Sequence, residues 1–150
     1  MNTLHVKELS TLEGAQQVRE VRNNARRSMT RYSDIITPQQ QKVWYETYMQ
    51  DEQNQCMYLY YNEYDCFVGY GYVVLRNNQF WGSLVVKPEF QGAGVGKKIY
   101  QDMITNHGEV WIEIYADNAE SLNAAVRSGF QHVYVTDSIV VMKGTHDTSI

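Results

Sequence analysis

The apolar positions of this chain alternate in its strand-like stretches and recur every three to four residues between them. Residues 4–9 alternate and predict a first strand. Over 13–28, Val18, Val21 and Ala25 fall on one helical face and predict an amphipathic helix. Thr37-Pro38-Gln39-Gln40 has the form of a helix start, with Thr as cap, Pro in the first position and Gln closing a capping box. Val43, Trp44 and Tyr48 of that second helix are expected to point inward. Residues 55–62 and 66–76 read as a tyrosine-rich hairpin turning at Asn62-Glu63-Tyr64-Asp65, and Asn77-Asn78 as a tight turn into a strand over 79–87. A helix over 94–106 carries Val95, Ile99 and Met103 on one face and ends at His107-Gly108. A strand over 109–116 follows, then a helix over 118–128 stopped by Gly129 in the position where glycine is favoured. Strands over 130–136 and 139–143 complete the order β-α-α-β-β-β-α-β-α-β-β. The fold class predicted is α/β (α+β), with a mixed, largely antiparallel sheet of about seven strands and helices on both faces.

At 150 residues the chain is expected to form one domain, 1–150, with a single substantial core. Apolar residues make up 43%, yet no stretch approaches the roughly 18 apolar residues of a membrane span. Met1-Asn2-Thr3-Leu4-His5 lacks the basic-then-apolar form of a signal peptide, so a soluble, cytoplasmic protein is expected. A net charge of −4 argues against nucleic acid as a partner and mildly favours cationic small molecules. Cys56 and Cys66 flank the expected hairpin turn, and pairing Cys66 with Tyr61 puts Cys56 opposite Gly71. The two sulfurs would then lie about 16 Å apart along the strands, too far to bridge. His5, His107, His132 and His146 have no metal-ligand spacing, so no metal is expected.

Candidate chemistry centres on Val85 to Lys98. An apolar, β-prone run (Phe80–Val86) meets Pro88, which cannot continue a ladder. Gly92, Gly94 and Gly96 follow at alternate positions and lead into the helix. Strand, glycine loop and helix N-terminus in that order build an anion site from backbone N–H groups, where a Cβ would hold a phosphate away. A P-loop needs four residues between its outer Gly and Gly-Lys, then Ser or Thr; here three separate Gly92 from Gly96-Lys97, and Lys98 follows. A dinucleotide fingerprint wants glycine where Lys97 stands, although Glu113 falls at the spacing that motif likes.

Leu84-x-Val86-x-Pro88 followed by Gln91-x-x-Gly94-x-Gly96 resembles the acyl-CoA pyrophosphate loop of the GNAT acetyltransferase superfamily. Asn118-Ala119-Glu120-Ser121 through Ser128-Gly129-Phe130 is similar to that superfamily's Asn-x-x-Ala…Gly-Phe segment, and the element order agrees over nearly the whole chain. The resemblance implies acetyl-CoA (coenzyme A) as co-substrate. It implies that Gln91, Gly92, Ala93, Gly94, Val95 and Gly96 bind the pyrophosphate, with Lys97 adding charge or standing in solvent. It further implies that the strand before the loop splays from the strand after the helix, so that backbone groups of Leu84, Val85 and Val86 meet the pantetheine arm and polarise the thioester carbonyl. Asn118 and Ser121 border that arm; Asn118 also has the residue type and place of a helix N-cap.

An ammonium must lose its proton before it attacks a thioester, so a base is needed. Trp111-Ile112-Glu113-Ile114 resembles the Leu-Glu-Val segment of ribosomal-protein alanine acetyltransferases and makes Glu113 the candidate base. The general-acid tyrosine of that group falls at Ala125 here, which leaves Tyr115 and Tyr134 as the nearest substitutes and Tyr115 as the candidate acid. Tyr58, Tyr60, Tyr70 and Tyr72 form period-2 stripes that either fill a half-buried sheet or wall an amine pocket. Arg19, Arg22 and Arg26 share a helical face, with Arg27 and Arg31 near; they are a solvated face or a cluster for an acceptor bearing phosphate or carboxylate. Arg22-Asn23 ahead of the Thr37–Trp44 helix is similar to acetyltransferases of small amines. The expectation is an N-acetyltransferase acting by direct transfer on a small-molecule primary amine, as a monomer or homodimer, with no nucleic-acid or membrane partner. The alternatives are a protein N-terminal or lysine acetyltransferase, an acyl-CoA-binding module without catalysis, and a nucleotide-binding α/β protein.

Overall fold

The computed structural model describes residues 3–51 and 53–146, so Met1 and Asn2 of the leader reading lie outside the described residues. The elements run β1 (His5–Glu8), α1 (Leu12–Asn24), α2 (Pro38–Gln50), β2 (Gln55–Tyr61), β3 (Phe67–Arg76) and β4 (Gln79–Val86). After these come α3 (Val95–His107), β5 (Glu109–Tyr115), α4 (Ala119–Arg127), β6 (Gln131–Thr136) and β7 (Ile139–Thr145). This is the predicted order. One seven-stranded sheet has the strand sequence β1-β2-β3-β4-β5-β7-β6. Neighbours are antiparallel except β4 and β5, which are parallel and in register at Trp81 and Trp111.

The two faces of the sheet bury different helices. Val68, Val73, Val110, Ile112 and Met142 pack with Val95, Ile99, Met103 and Ile104 of α3 and Ala125 of α4. On the other face, Met57, Leu59, Tyr70 and Val85 pack with Ala15, Val18 and Val21 of α1 and Tyr48 of α2. Close contact of α3 with the sheet depends on Gly71 and Gly82. A Cβ on Gly71 would stand 2.6 Å from Ile99 Cγ2, and one on Gly82 would stand 2.8 Å from Met103 Sδ. Those two absent side chains set the height at which the N-terminus of α3 meets the end of β4.

Local punctuation follows the expected chemistry. Thr37 and Gln40 form the reciprocal capping box of α2, and Asn77 and Asn78 both take positive φ in the β3–β4 turn. Three expectations need correction. The first long helix ends at Asn24; residues 26–28 form one tighter turn instead, and Arg26 and Arg27 there are exposed. Val43 is 53% exposed, since on α2 it is Trp44 and Tyr48 that face α1 and the sheet. In the β2–β3 hairpin, Cys56 pairs with Val73 rather than Gly71 and Tyr61 with Phe67 rather than Cys66. The cause is an irregularity between Tyr60 and Tyr61 together with a loop built on Asn62, whose Oδ1 accepts from the N–H groups of Tyr64 and Cys66. Cys56 and Cys66 are not joined in a disulfide, in line with the expectation.

Candidate active site

Beyond the Trp81–Trp111 pair the C-terminal halves of β4 and β5 continue without a further register match, and two cavities open there. One, of about 680 Å³, runs from the end of β4 past the glycine loop to α4. The other, of about 540 Å³, is enclosed by α1, α2, the segment around 29–36 and the adjacent sheet face. They share a border: Leu84, Val21 and Ser28 line the first, while their chain neighbours Ser83, Arg22 and Met29 line the second.

The larger cavity is made mostly of backbone. Gly92 and Gly94 have φ of 82° and 83°, the left-handed region that L side chains rarely adopt. Gly94 caps α3 with no side-chain hydrogen bond, and the first helical bond runs from Lys98 N–H to its carbonyl at 3.1 Å. The N–H groups of Val95, Gly96 and Lys97 therefore precede the helix's own ladder and face the cleft with the positive end of its dipole. Gly96 is a different case: a Cβ there would find only Val86 Cγ2, at 3.9 Å. Leu84, Val85, Val86, Gln91, Gly92, Gly94, Val95, Gly96, Lys97, Asn118 and Ser121 all line this cleft, so the structure brings together eleven of the twelve residues expected to bind the cofactor. Ala93 instead faces a neighbouring hollow with Leu4, Asn62 and Tyr64. Asn118 caps α4 through a bond from Ser121 N–H at 3.3 Å, as its N-cap reading expects, and it also lines the cleft. The Gln91 amide donates to the Val86 carbonyl at 3.2 Å and tethers the loop to the end of β4. Phe90, Tyr100 and Arg127 also line it, outside the expected set; a basic residue in the last turn of α4 gives no signal apart from the helix itself.

The smaller cavity is made of side chains. Glu113 projects into it from β5 with its side chain 18% exposed, and Arg31 Nε donates to its Oε1 at 2.7 Å. Arg19, Arg22, Arg31 and Arg76 all line the space, together with Trp44, Tyr70, Tyr72 and Trp81. Arg22 is buried, and its guanidinium is spent on structure: it donates to the carbonyls of Tyr32 and Asp34 and to Asn23 Oδ1. Burial lowers its pKa, with the Tyr70, Tyr32 and Asp34 side chains acting in the opposite direction. Asn23 holds Ile36 at both its N–H and its carbonyl. Arg22-Asn23 thus pins the segment that roofs the cavity. Arg76, which was not anticipated, lies over Trp81 at 5.3 Å, and Arg31 lies at 5.5 Å from the same ring. Burial lowers the Arg76 pKa first, Arg31 adds to that, and Glu113 counters it. The signal for Arg76 was its period-2 spacing from Tyr70 and Tyr72 on one strand face.

The tyrosine stripes do not form one wall. Tyr70 and Tyr72 face the cavity, where burial raises the Tyr72 pKa to about 12. Tyr58 and Tyr60 face the other side of the sheet, where the Tyr60 hydroxyl donates to Asp102 Oδ2 at 2.6 Å. Paired strands present residues opposite one another on the same face, and Tyr58 is opposite Gly71, Tyr60 opposite Gly69. Tyr115, two residues from Glu113 on β5, donates from its hydroxyl to the Met29 carbonyl at 3.1 Å and lines neither cavity. Ala125 is fully buried against α3, and Tyr134 is 51% exposed on the edge strand. Among the described residues no group of three or more His, Cys, Asp or Glu is placed to hold a metal, and no helix is long and apolar enough to cross a membrane.

Residues 19–130 match the family model described as acetyltransferase (GNAT) family. No curated protein matches the sequence. Among solved structures, yncA from Salmonella typhimurium with its cofactor acetyl-CoA superposes with a TM-score of 0.79 at 16% identity, covering 99% of this chain and 96% of that one. A phosphinothricin acetyltransferase from Sinorhizobium meliloti in complex with acetyl-CoA gives 0.78 at 13% identity, covering 95% and 88%. A ribosomal-protein-alanine N-acetyltransferase from Brucella melitensis gives 0.77 at 15% identity, covering 95% and 99%. At these identities the likeness to the solved structures is one of fold.

Proposed function

Because the chain belongs to the acetyltransferase (GNAT) family, it is an acetyl-CoA-dependent N-acetyltransferase, and we propose that its acceptor is the primary amine of a small molecule, acetylated by direct transfer in a ternary complex. The observation that carries this reading is the shared border of the two cavities, at Ser83 and Leu84, with the Glu113 carboxylate on the acceptor side. The larger cleft fits acetyl-CoA: uncapped amides of Val95, Gly96 and Lys97 suit the pyrophosphate, and the edge of β4 left unpaired with β5 beyond Trp81 offers backbone donors and acceptors to the pantetheine arm. An amine in the smaller cavity gives its proton to Glu113 and attacks the thioester carbonyl at the border. The carbonyl oxygen takes up the negative charge, and collapse breaks the C–S bond to release the CoA thiolate. Tyr115 is the candidate acid by its place beside Glu113 on β5; protonating that thiolate would require its hydroxyl to leave the Met29 carbonyl.

Direct transfer is supported by the placement of the two thiols, since neither cysteine lines either cavity. A small acceptor is supported by the roof over the cavity, which Arg22 and Asn23 hold through four bonds to the backbone of 32–36. Release of free CoA thiol across a panel of small amines and of peptide N-termini tests the assignment. Turnover with small amines and intersecting initial-velocity plots are expected. Turnover with peptides alone, or parallel plots, would overturn the acceptor class or the direct transfer respectively.

A further inference from the structure

Four guanidinium groups and one carboxylate line the acceptor cavity, although the chain as a whole carries a net charge of −4. Three of the four are occupied. Arg22 is bonded to carbonyls, Arg31 to Glu113, and Arg19 to Gln16 Oε1 at 2.6 Å with Glu20 at 3.9 Å. Arg76 has no hydrogen-bond or ion-pair partner among the described residues. Its Nε is shielded from solvent and unpaired, its ring contact is the face of Trp81, and the carboxylate that acts on it, Glu113, is already bonded to Arg31. The nearest charge of its own sign, Arg31, shares that ring. A partly desolvated guanidinium beside a second cation, without a carboxylate of its own, is an expensive arrangement unless something else supplies the negative charge.

We propose that the acceptor is an amine that also carries an anionic group (carboxylate, phosphonate or phosphate), and that Arg76 holds that group. This rests on the small-amine reading above. A planar guanidinium with free Nη groups presents the paired donors that a carboxylate or phosphate accepts. The placement also fixes a scale. Arg76 lies over Trp81, and Trp81 is two strand residues from Ser83 at the border with the donor cleft, about 7 Å at the usual strand rise. An acceptor spanning that interval has the size of an amino acid or an aminoalkylphosphonate. The aromatic side chains of Trp44 and of Tyr72, which pairs with Ser83 on β3, line the same cavity and suit a short apolar body. A polycation would bring further positive charge to four arginines and is disfavoured on the same ground.

The test compares matched acceptors by thiol release with acetyl-CoA: α- and ω-amino acids and aminoalkylphosphonates against their carboxamides and alkylamines of equal length. In the native protein the anionic members should have kcat/KM at least tenfold above their neutral partners, chiefly through KM. In Arg76→Gln the ratio should fall to about one, and in Arg76→Lys, which keeps the charge but not the paired donors, to an intermediate value. Inorganic phosphate should compete with a neutral amine in the native protein and do so at least tenfold less well in Arg76→Gln. Should Arg76→Gln fail to fold, Arg76→Lys and phosphate competition in the native protein decide the matter. Neutral amines used as well as anionic ones, or a preference that survives in a folded Arg76→Gln, would overturn this proposal and leave the small-amine reading standing. No turnover of any small amine would overturn both.

Discussion

The donor cleft and the acceptor cavity meet along β4, yet they are made of different material. The cleft offers backbone N–H groups, two glycines at positive φ and the uncapped start of α3, so it presents partial charges fixed by the main chain. The cavity offers full charges on long side chains, and these come from α1, the 29–36 segment, β3 and β5. A backbone site needs little of the residue types around it beyond permission for the turn, and it recognises a feature that every acetyl-CoA shares. A side-chain site can be rebuilt by a few substitutions while the sheet and helices stay as they are. The difference assigns constancy to the donor and variety to the acceptor, in line with solved structures of this fold whose names give acceptors as unlike as phosphinothricin and a ribosomal-protein alanine.

The largest expected effect breaks the side-chain half and spares the other. Glu113→Gln keeps the size of the residue and an oxygen that can still accept from Arg31 Nε, but it removes the proposed base. We expect kcat to fall about 10²-fold with CoA affinity unchanged by titration calorimetry; a comparable kcat would mean that water or another group takes the proton. The next prediction breaks the backbone half. Gly96 does not have positive φ and has room for a Cβ, so Gly96→Asp adds charge among the α3 amides without backbone strain. CoA affinity should drop at least tenfold, about 1.4 kcal/mol, in a protein whose thermal melt remains cooperative. Gly96→Ala should lose much less, which separates charge from bulk. Gly94→Asp would confuse the two, because at φ 83° any L residue there is strained.

The same contrast explains what could be read in the chain before its structure. The donor cleft was legible almost residue by residue because glycine spacing, Pro88 and the helix start are local, and local chemistry is written consecutively. The acceptor cavity was legible in parts. Glu113 is marked as a candidate by its neighbours in the chain, whereas the period-2 spacing of Arg76 from Tyr70 and Tyr72 places it on their strand face without giving it a role; its meaning comes from Trp81 across the hairpin and Arg31 from another segment. Arg22 was noted for its charge, whereas the structure spends that charge on the carbonyls of a loop ten residues away. The tyrosine stripes were correctly spaced, but spacing along one strand does not say which face its partner's stripe shares. A bulge at Tyr60–Tyr61, invisible to alternation, then moved the hairpin register.

The smallest effect concerns the place where the two halves touch chemically, the leaving thiolate. Ala125, where the sequence resemblance would put an acid, is sealed into the core against α3, and Tyr134 stands exposed on the edge strand, so neither lines either cavity. Tyr115 alone is near, and its hydroxyl already has a partner in Met29 O, a residue of the acceptor wall. A thiolate leaving group with a pKa near 8.5, by analogy with free cysteine, costs only about 1–2 kcal/mol to expel unprotonated near neutral pH, at about 1.4 kcal/mol per pKa unit. An acid is therefore helpful rather than obligatory. We expect kcat/KM to rise with pH as the acceptor amine loses its proton, with no descending limb at alkaline pH. Tyr115→Phe should follow the same profile, reduced a few-fold through KM as the wall loses one tether of about 1 kcal/mol. Tyr134→Phe, on an exposed edge, should match the native protein throughout. A descending limb at alkaline pH that disappears in Tyr115→Phe would instead make this phenol the acid, and would show that a side chain, not the backbone alone, completes the donor side of the site.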